Sequence, residues 1–330
     1  MEKKKSVWLS ILPYAVLFLC FLIIPPSIDK MFWYAAFISI LAKMIAATGL
    51  RIVSLGGDMS FAMGAFMGIG AYGAAIMVTK WDFPFWAAII LAGVFACIVA
   101  VLTGIPFARL RSIYYCMTTM FLGVFLINVF QSFDWSGGNT GIKQIPKIFN
   151  GIPRTSYWYF LALAVVCIFC MWRFEYSRIG NSLKAISQSH EVAASIGINE
   201  RFYRLMAIGF AAFFCGIAGA SYTLYYGTVV GSTYGMTLDL WIIMFFMVGG
   251  KDDFFGPLIG SAILGVVNEG SRTFGSYAPF LACAVLLLVA YLLPGGLSSI
   301  PRTIKQKMDD RKMKQVDISS FASGTGGKEA

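Results

Sequence analysis

Charge and histidine are what this sequence is shortest of. Of its 330 residues, 13% are charged and one, His190, is histidine, while 58% are hydrophobic. An ordinary soluble domain is roughly half apolar and a quarter charged, so this balance excludes one and points to an all-α polytopic membrane protein. With a single histidine and no Cys/His/Asp cluster at ligand spacing, no metal site is expected. The same scarcity removes Ser/His/Asp, Cys/His and paired-carboxylate catalysis, because the acidic residues inside apolar stretches stand isolated along the chain. No catalytic residue and no cofactor is therefore expected. A phosphate-gripping loop is missing as well, since residues 265–271 read GVVNEGS without the lysine such a loop needs. Cys20, Cys97, Cys116, Cys167, Cys170, Cys215 and Cys283 all fall in apolar stretches and suggest no disulfide framework. Cys167 and Cys170 form a C-x-x-C, but within YWYFLALAVVCIFCMW, where an apolar setting disfavours the thiolate. The net charge of +10 would suggest nucleic acid in a soluble chain. Here no aromatic-interleaved basic surface motif accompanies it, so no nucleic acid is expected as a partner and the charge fits loops facing anionic lipid.

What is present is a succession of apolar runs long enough to cross a lipid bilayer. Residues 7–28 follow Lys3, Lys4 and Lys5, and the run is too long for a signal-peptide core, so it is expected as an uncleaved first span. Further spans are expected at 31–50, 54–77, 84–106, 109–130, 157–172, 202–226, 237–248, a ninth following Gly249 and Gly250, and 278–293. Ten spans put both termini on one side, and Lys and Arg concentrate on alternate loops in a way that makes that side cytoplasmic. Residues 1–301 then form the transmembrane domain, and the basic, Gly- and Ser-rich segment 302–330 forms a disordered cytoplasmic tail. Arg109 and Arg111 are expected as basic anchors after the fourth span. Lys43 lies within a span, either snorkelling or lining a pathway. Residues 54–77 are crowded with glycine, so a closely packed helix with an irregular entry at Gly56 and Gly57 is expected. Gly57, Gly64 and Gly68 are echoed at nearly equal spacing by Gly250, Gly256 and Gly260, a weak internal repeat of a kind common in transporters. Of these, Gly64, Gly68, Gly256 and Gly260 are assigned to helix packing. Ser60, Thr118, Thr119 and Asn128 are polar candidates for a translocation pathway, although threonine hydroxyls often bond their own backbone.

The longest polar insertion between apolar segments is SRIGNSLKAISQSHEVAASIGINERFY, residues 177–203. Gly180 and Asn181 are expected to interrupt the chain, with Ser182 capping a short helix that carries Leu183 and Ile186. A second helix over residues 190–196 follows a cap within 187–189 and ends at Gly197, the residue suited to the left-handed position. Val192 and Ile196 share one face of it and Glu191 sits at its positive end, as a helix docking onto another protein would require.

These residues resemble the E-A-A-type cytoplasmic loop of ABC importer permeases, specifically the M-type permease subunit of branched-chain amino-acid importers. Glu191, Ala193, Ala194 and Gly197 hold the pattern's fixed positions, with Lys184 and Ala185 preceding them. The resemblance extends to GGDMSFAMGAFMGIGAY, keeping Ser60, Phe66, Gly68, Gly70, Ala71 and Tyr72 but carrying Asp58, Ala62 and Met63 where the family usually has Gln, Gly and His. It also covers RLRSIYYCMTT, the SGGNTGI of the 131–156 loop on the opposite side, and the block holding Gly249, Gly250, Gly256, Pro257 and Gly260, where Asp252 replaces a glycine. It implies a bacterial inner-membrane subunit that passes leucine, isoleucine or valine by alternating access. It also implies a paralogous H-type permease, two ABC ATPase subunits that consume the ATP, and an extracytoplasmic solute-binding protein. Residues 177–203 would be the loop coupling to the ATPases, and 131–156, with Lys143, Lys147 and Arg154, would meet the binding protein. A urea or short-amide permease of the same family is the nearest alternative. An ion-coupled secondary transporter is a more distant one, because it should carry a charge relay in its spans.

Overall fold

The computed structural model describes residues 31–271 apart from 111, 134, 135 and 252. The expected first and tenth spans and the tail, with Arg111 and Asp252, lie outside the described residues. Within them the fold is all α. Its helices are α1 (Met31–Ser54), α2 (Met63–Lys80), α3 (Phe85–Phe107), α4 (Ser112–Ser132), α5 (Pro153–Glu175), α6 (Arg178–Gln188), α7 (His190–Ser195), α8 (Glu200–Tyr226), α9 (Met236–Gly249) and α10 (Gly256–Ser271). Six of them, α1, α3, α4, α5, α8 and α9 with the 3-10 turn before it, are long and apolar enough to cross a membrane.

Burial sorts these helices into an interior and a periphery. In the most apolar window of α1, 94% of residues are buried, against 28% for α4, so α1 runs through the middle while α4 presents one side outward. The longest helix, α8, packs on α1, α2 and α3. Its approach to α2 is possible only through glycine: a Cβ on Gly219 would collide with the Met67 carbonyl, and one on Gly70 with that of Gly216. Where hydrocarbon surrounds the bundle, such backbone contact supplies the dispersion energy that water exclusion cannot.

The entry to α2 is irregular over a longer stretch than Gly56 and Gly57 alone. Residues 55–62 form a turn and loop before the helix begins at Met63, so the expected helix over 54–77 is displaced toward Lys80. Tertiary partners explain the delay. Gly57 takes a φ of +88°, Thr119 Oγ1 accepts from the Phe61 N–H at 3.1 Å, and Asp58 is held by α4 and α8. Gly250, its counterpart in the sequence repeat, likewise has positive φ, at +103°, and precedes α10. At the other end of the bundle, the α4–α5 connection is stitched to the α8–α9 connection by paired bonds between Ile142 and Val229, each 3.0 Å, and by Ile145 N–H to Gly227 O.

Candidate functional site

The α6–α7 hairpin stands at one end of the bundle. The expected break at Gly180 and Asn181 does not occur: α6 begins at Arg178 and runs through both. Ser177 is the N-cap, accepting from the Gly180 N–H at 3.4 Å, and Ser182, expected as a cap, instead donates to Arg178 O inside the helix. Gly180 is required because its α-carbon lies against the last carbonyls of α5, where a Cβ would collide with Glu175 O. Leu183 and Ile186 are fully buried beneath α6 and seat it on the bundle.

The second helix, α7, is closed at both ends by its own residues. Ser189 caps it by accepting from the Val192 N–H at 3.4 Å. Gly197, at a φ of +80°, donates to Ala194 O at 3.0 Å, and Ile198 donates to Ala193 O at 3.1 Å, the paired bonds of a Schellman stop. Ala193 is buried, whereas Glu191, Ala194 and Gly197 are exposed. Val192 and Ile196 are 61% and 66% exposed, so a six-residue helix with satisfied ends offers two large aliphatic side chains outward.

Two charged clusters fix the hairpin to the bundle. Glu175, at the end of α5 and 2% exposed on its side chain, accepts from Nη2 and Nε of Arg51 at 3.1 and 3.3 Å and from Lys184 Nζ of α6 at 3.0 Å. Lys184 also lies 5.0 Å from the centroid of the Tyr176 ring, and Ala185 is half-buried beside it. In the second cluster, Arg204 of α8 meets Asp58 at 2.9 Å and Glu200 at 3.2 Å, and donates to Leu110 O at 2.9 Å. Asp58 accepts in turn from the Ser112 N–H at 3.2 Å. His190, which opens α7, faces Glu200 with Nδ1 at 3.1 Å, a contact that is an ion pair only in the imidazolium form with both ring nitrogens protonated. Burial pushes the Asp58 carboxyl above its ordinary range, and Arg204 pulls it back. Between these clusters lies a cleft of roughly 690 Å³, bordered by Arg51, Gly57, Asp58, Ser112, Lys184 and Lys251. Asp58 stands out in the sequence only as a departure from the family pattern and Arg51, Glu175 and Arg204 not at all, because their pairing depends on chain crossings that no spacing rule shows.

The polar candidates divide. Ser60 and Thr119 come together, buried at the α2 entry, where their hydroxyls accept from the Ala62 and Phe61 N–H groups. Thr118 and Asn128 lie apart on the outward side of α4 and bond Tyr114 O and Val124 O of their own helix. Gly64 approaches Asp239, which accepts its N–H at 2.6 Å, and Gly68 approaches Tyr234 and Ile127. Gly256 and Gly260 sit against the backbone of α9 at Gly249, Gly250 and Phe245. Two carboxylates that stand isolated along the chain acquire partners in the fold: Glu269 pairs with Lys43 at 3.3 Å across 226 residues, and Asp239 holds the start of α2.

Among the described residues, an all-α bundle with six membrane-length helices marks a polytopic membrane protein and is consistent with a permease fold. The family model for the branched-chain amino acid transport system permease component matches residues 31–292, and the chain belongs to that family. It is similar to the high-affinity branched-chain amino acid transport system permease protein LivM of Escherichia coli strain K12, 25% identical over 289 residues covering 78% of this chain and 68% of that protein. It is also similar to LivH of Salmonella typhimurium, 25% identical over 295 residues covering 79% and 92%. The ribose import permease protein RbsC of E. coli strain K12 is 23% identical over 266 residues, covering 76% and 81%. No solved structure gives a significant match.

Proposed function

We propose that this chain is the M-type permease subunit of a binding-protein-dependent ABC importer in a bacterial plasma membrane, carrying leucine, isoleucine or valine inward. The observation that carries this reading is α7, a self-capped helix whose Val192 and Ile196 point away from a body to which it is firmly fixed. A tether would need neither the caps nor the exposed aliphatic pair. In this reading Glu191, Ala193, Ala194 and Gly197 shape the helix that enters a cleft of an ATPase subunit, while Lys184 and Ala185 belong to the arm behind it. ATP is bound and hydrolysed by two partner subunits. A paralogous H-type permease completes the pathway, and Ser60, Thr118, Thr119 and Asn128 are its proposed polar lining. The α4–α5 loop is the docking platform for the binding protein.

The arrangement suits transmission of force. Displacing α7 loads His190–Glu200 and then Arg204–Asp58, which reach α8, the α2 entry and the start of α4. Displacing α6 loads Lys184–Glu175–Arg51, which reaches α5 and α1. Charged contacts of this kind have directional geometry and can hold two alternative arrangements of packed helices. The test is to co-express the chain with its neighbouring ATPase and permease subunits, purify the complex, and measure uptake into proteoliposomes from binding protein loaded with leucine, urea or ribose. ATP-dependent leucine uptake is expected. Uptake of urea or ribose alone would contradict the substrate, and uptake without any ATPase would contradict the class.

A further inference from the structure

In the half of the bundle away from the α6–α7 hairpin lies a second cavity, of roughly 390 Å³. Small-molecule pockets span about 300–1,000 Å³, so it has room for a free amino acid but not for a much larger solute. Its polar wall carries Lys43 and Glu269, with Ser39, Thr237 and Asn268 nearby, while Met67, Leu238 and Trp241 make an apolar wall. Lys43 Nζ stands 3.3 Å from Glu269 Oε1, and Ser39 Oγ donates to the same oxygen at 3.1 Å. The two charged side chains are only 16% and 4% exposed. The cavity also borders Ser232, Thr233 and Tyr234 in the turn before α9, part of the α8–α9 connection that is stitched to the α4–α5 loop.

We propose that this cavity is a relay station for a zwitterionic α-amino acid, in which Lys43 takes the carboxylate, Glu269 takes the ammonium, and the wall of Met67, Leu238 and Trp241 takes the side chain. The inference rests on the reading of the chain as an amino-acid permease and adds the residues that recognise the substrate class. A buried charge in a membrane bundle is expensive and needs a partner or a ligand. An adjacent cation and anion answer that need at rest. They are also the pair that a zwitterion can bridge, because an ammonium has three N–H groups and a carboxylate two acceptor oxygens. An uncharged sugar gains far less from such a pair, which would separate this chain's cargo from that of a ribose permease by chemistry rather than by size. The cavity lies at the end of the bundle assigned to the binding protein, where cargo is released.

The test is equilibrium binding of tritiated L-leucine to the complete permease–ATPase complex in nanodiscs, without binding protein. The competitors are 4-methylpentanoate, which lacks the ammonium, and 3-methylbutylamine, which lacks the carboxylate. Both should compete at least about tenfold less well than leucine, because each leaves one buried charge unmatched. Lys43→Gln should weaken leucine by about tenfold or more while leaving 3-methylbutylamine within about twofold, and Glu269→Gln should do the mirror image with 4-methylpentanoate. Because either single change breaks a buried pair, Lys43→Gln/Glu269→Gln is included to hold the fold; it should assemble and hydrolyse ATP but not bind leucine. A structural ion pair predicts equal effects on all three ligands, and that result, or leucine binding absent from wild type, overturns the station. Wild-type leucine uptake by the double variant also overturns the station alone. Wild-type complex that imports ribose or urea and not leucine would instead overturn the proposed substrate.

Discussion

Arg204, near the start of α8, places a guanidinium nitrogen 2.9 Å from the Asp58 carboxylate in the irregular entry to α2. The contact joins the helix that follows the surface hairpin to the segment that sets where α2 begins. Both side chains are about 5% exposed, so the pair is a buried one with a desolvation cost on each side.

Removing only the cation should therefore be costly. Arg204→Met leaves Asp58 buried without its partner and frees Leu110 O, and a loss of about 3–5 kcal/mol is expected, seen as a large fall in the thermal midpoint of the purified subunit. Arg204→Met/Asp58→Asn should recover part of the loss. Asp58→Asn alone closes the cycle, and a loss in the double variant equal to the two single losses added would show that the two residues act independently.

The same carboxylate gives a pH signature. Burial raises the folded pKa of Asp58. The stability tied to its neutral form is then complete below the ordinary carboxylate range and is lost as pH rises through the raised value. Measured against Asp58→Asn, which cannot ionise, the wild-type midpoint should fall as pH increases from about 4. A difference that is flat or rises with pH would mean that Arg204 outweighs desolvation.

Contact between α2 and α8 backbones predicts a sharp contrast among glycines. Gly219→Ala sets a methyl against the Met67 carbonyl and should separate the helices, lowering both yield and thermal midpoint. Gly73→Ala, where the nearest atom would be 3.7 Å away, should be nearly neutral. Similar behaviour of the two variants in a fluorescence size-exclusion melt would contradict the packing.

These contrasts also mark how far the sequence could be read. Ser189 and Gly197 were legible because capping is local chemistry: a hydroxyl three residues before an N–H, and a residue without Cβ at the left-handed stop. The apolar runs were legible because bilayer thickness sets their length. The continuity of α6 through Gly180 was not, because it depends on how closely α5 ends beside it. Neither were Arg51–Glu175 or Lys43–Glu269, separated by 124 and 226 residues. Each residue looks like an isolated charge until packing brings its partner alongside. The α2 entry was half legible: its glycines announced an irregularity, but Thr119 and Arg204, which extend it to residue 62, belong to other helices.

At the opposite end, Lys143 and Lys147 on the loop pinned to the α8–α9 connection and Arg154 in the first turn of α5 are all exposed. Replacing the three by glutamate should weaken binding-protein docking and flatten its dependence on salt, as loss of electrostatic steering requires. Surface plasmon resonance at two ionic strengths reads both effects, and an unchanged salt slope would remove these residues from the interface. Cysteines at Asn139 and Ser232, both exposed, should label from outside in intact cells and one at Ser187 only after permeabilisation. The reverse pattern would invert the membrane orientation.

The central claim is that α7 couples this subunit to an ATPase. Val192→Glu/Ile196→Glu changes only exposed side chains. Gly197→Val meets no neighbouring atom but forces a β-branched residue to a φ of +80°, at about 1–2 kcal/mol. Glu191→Lys reverses the charge beside the helix's positive end. The decisive measurement is the ATP hydrolysis rate of each variant complex in nanodiscs, with and without leucine-loaded binding protein, alongside a melt of the isolated subunit. The account predicts subunits that fold as wild type does, or nearly so for Gly197→Val, in complexes whose stimulation by loaded binding protein is lost. Full stimulation in all three variants would contradict it.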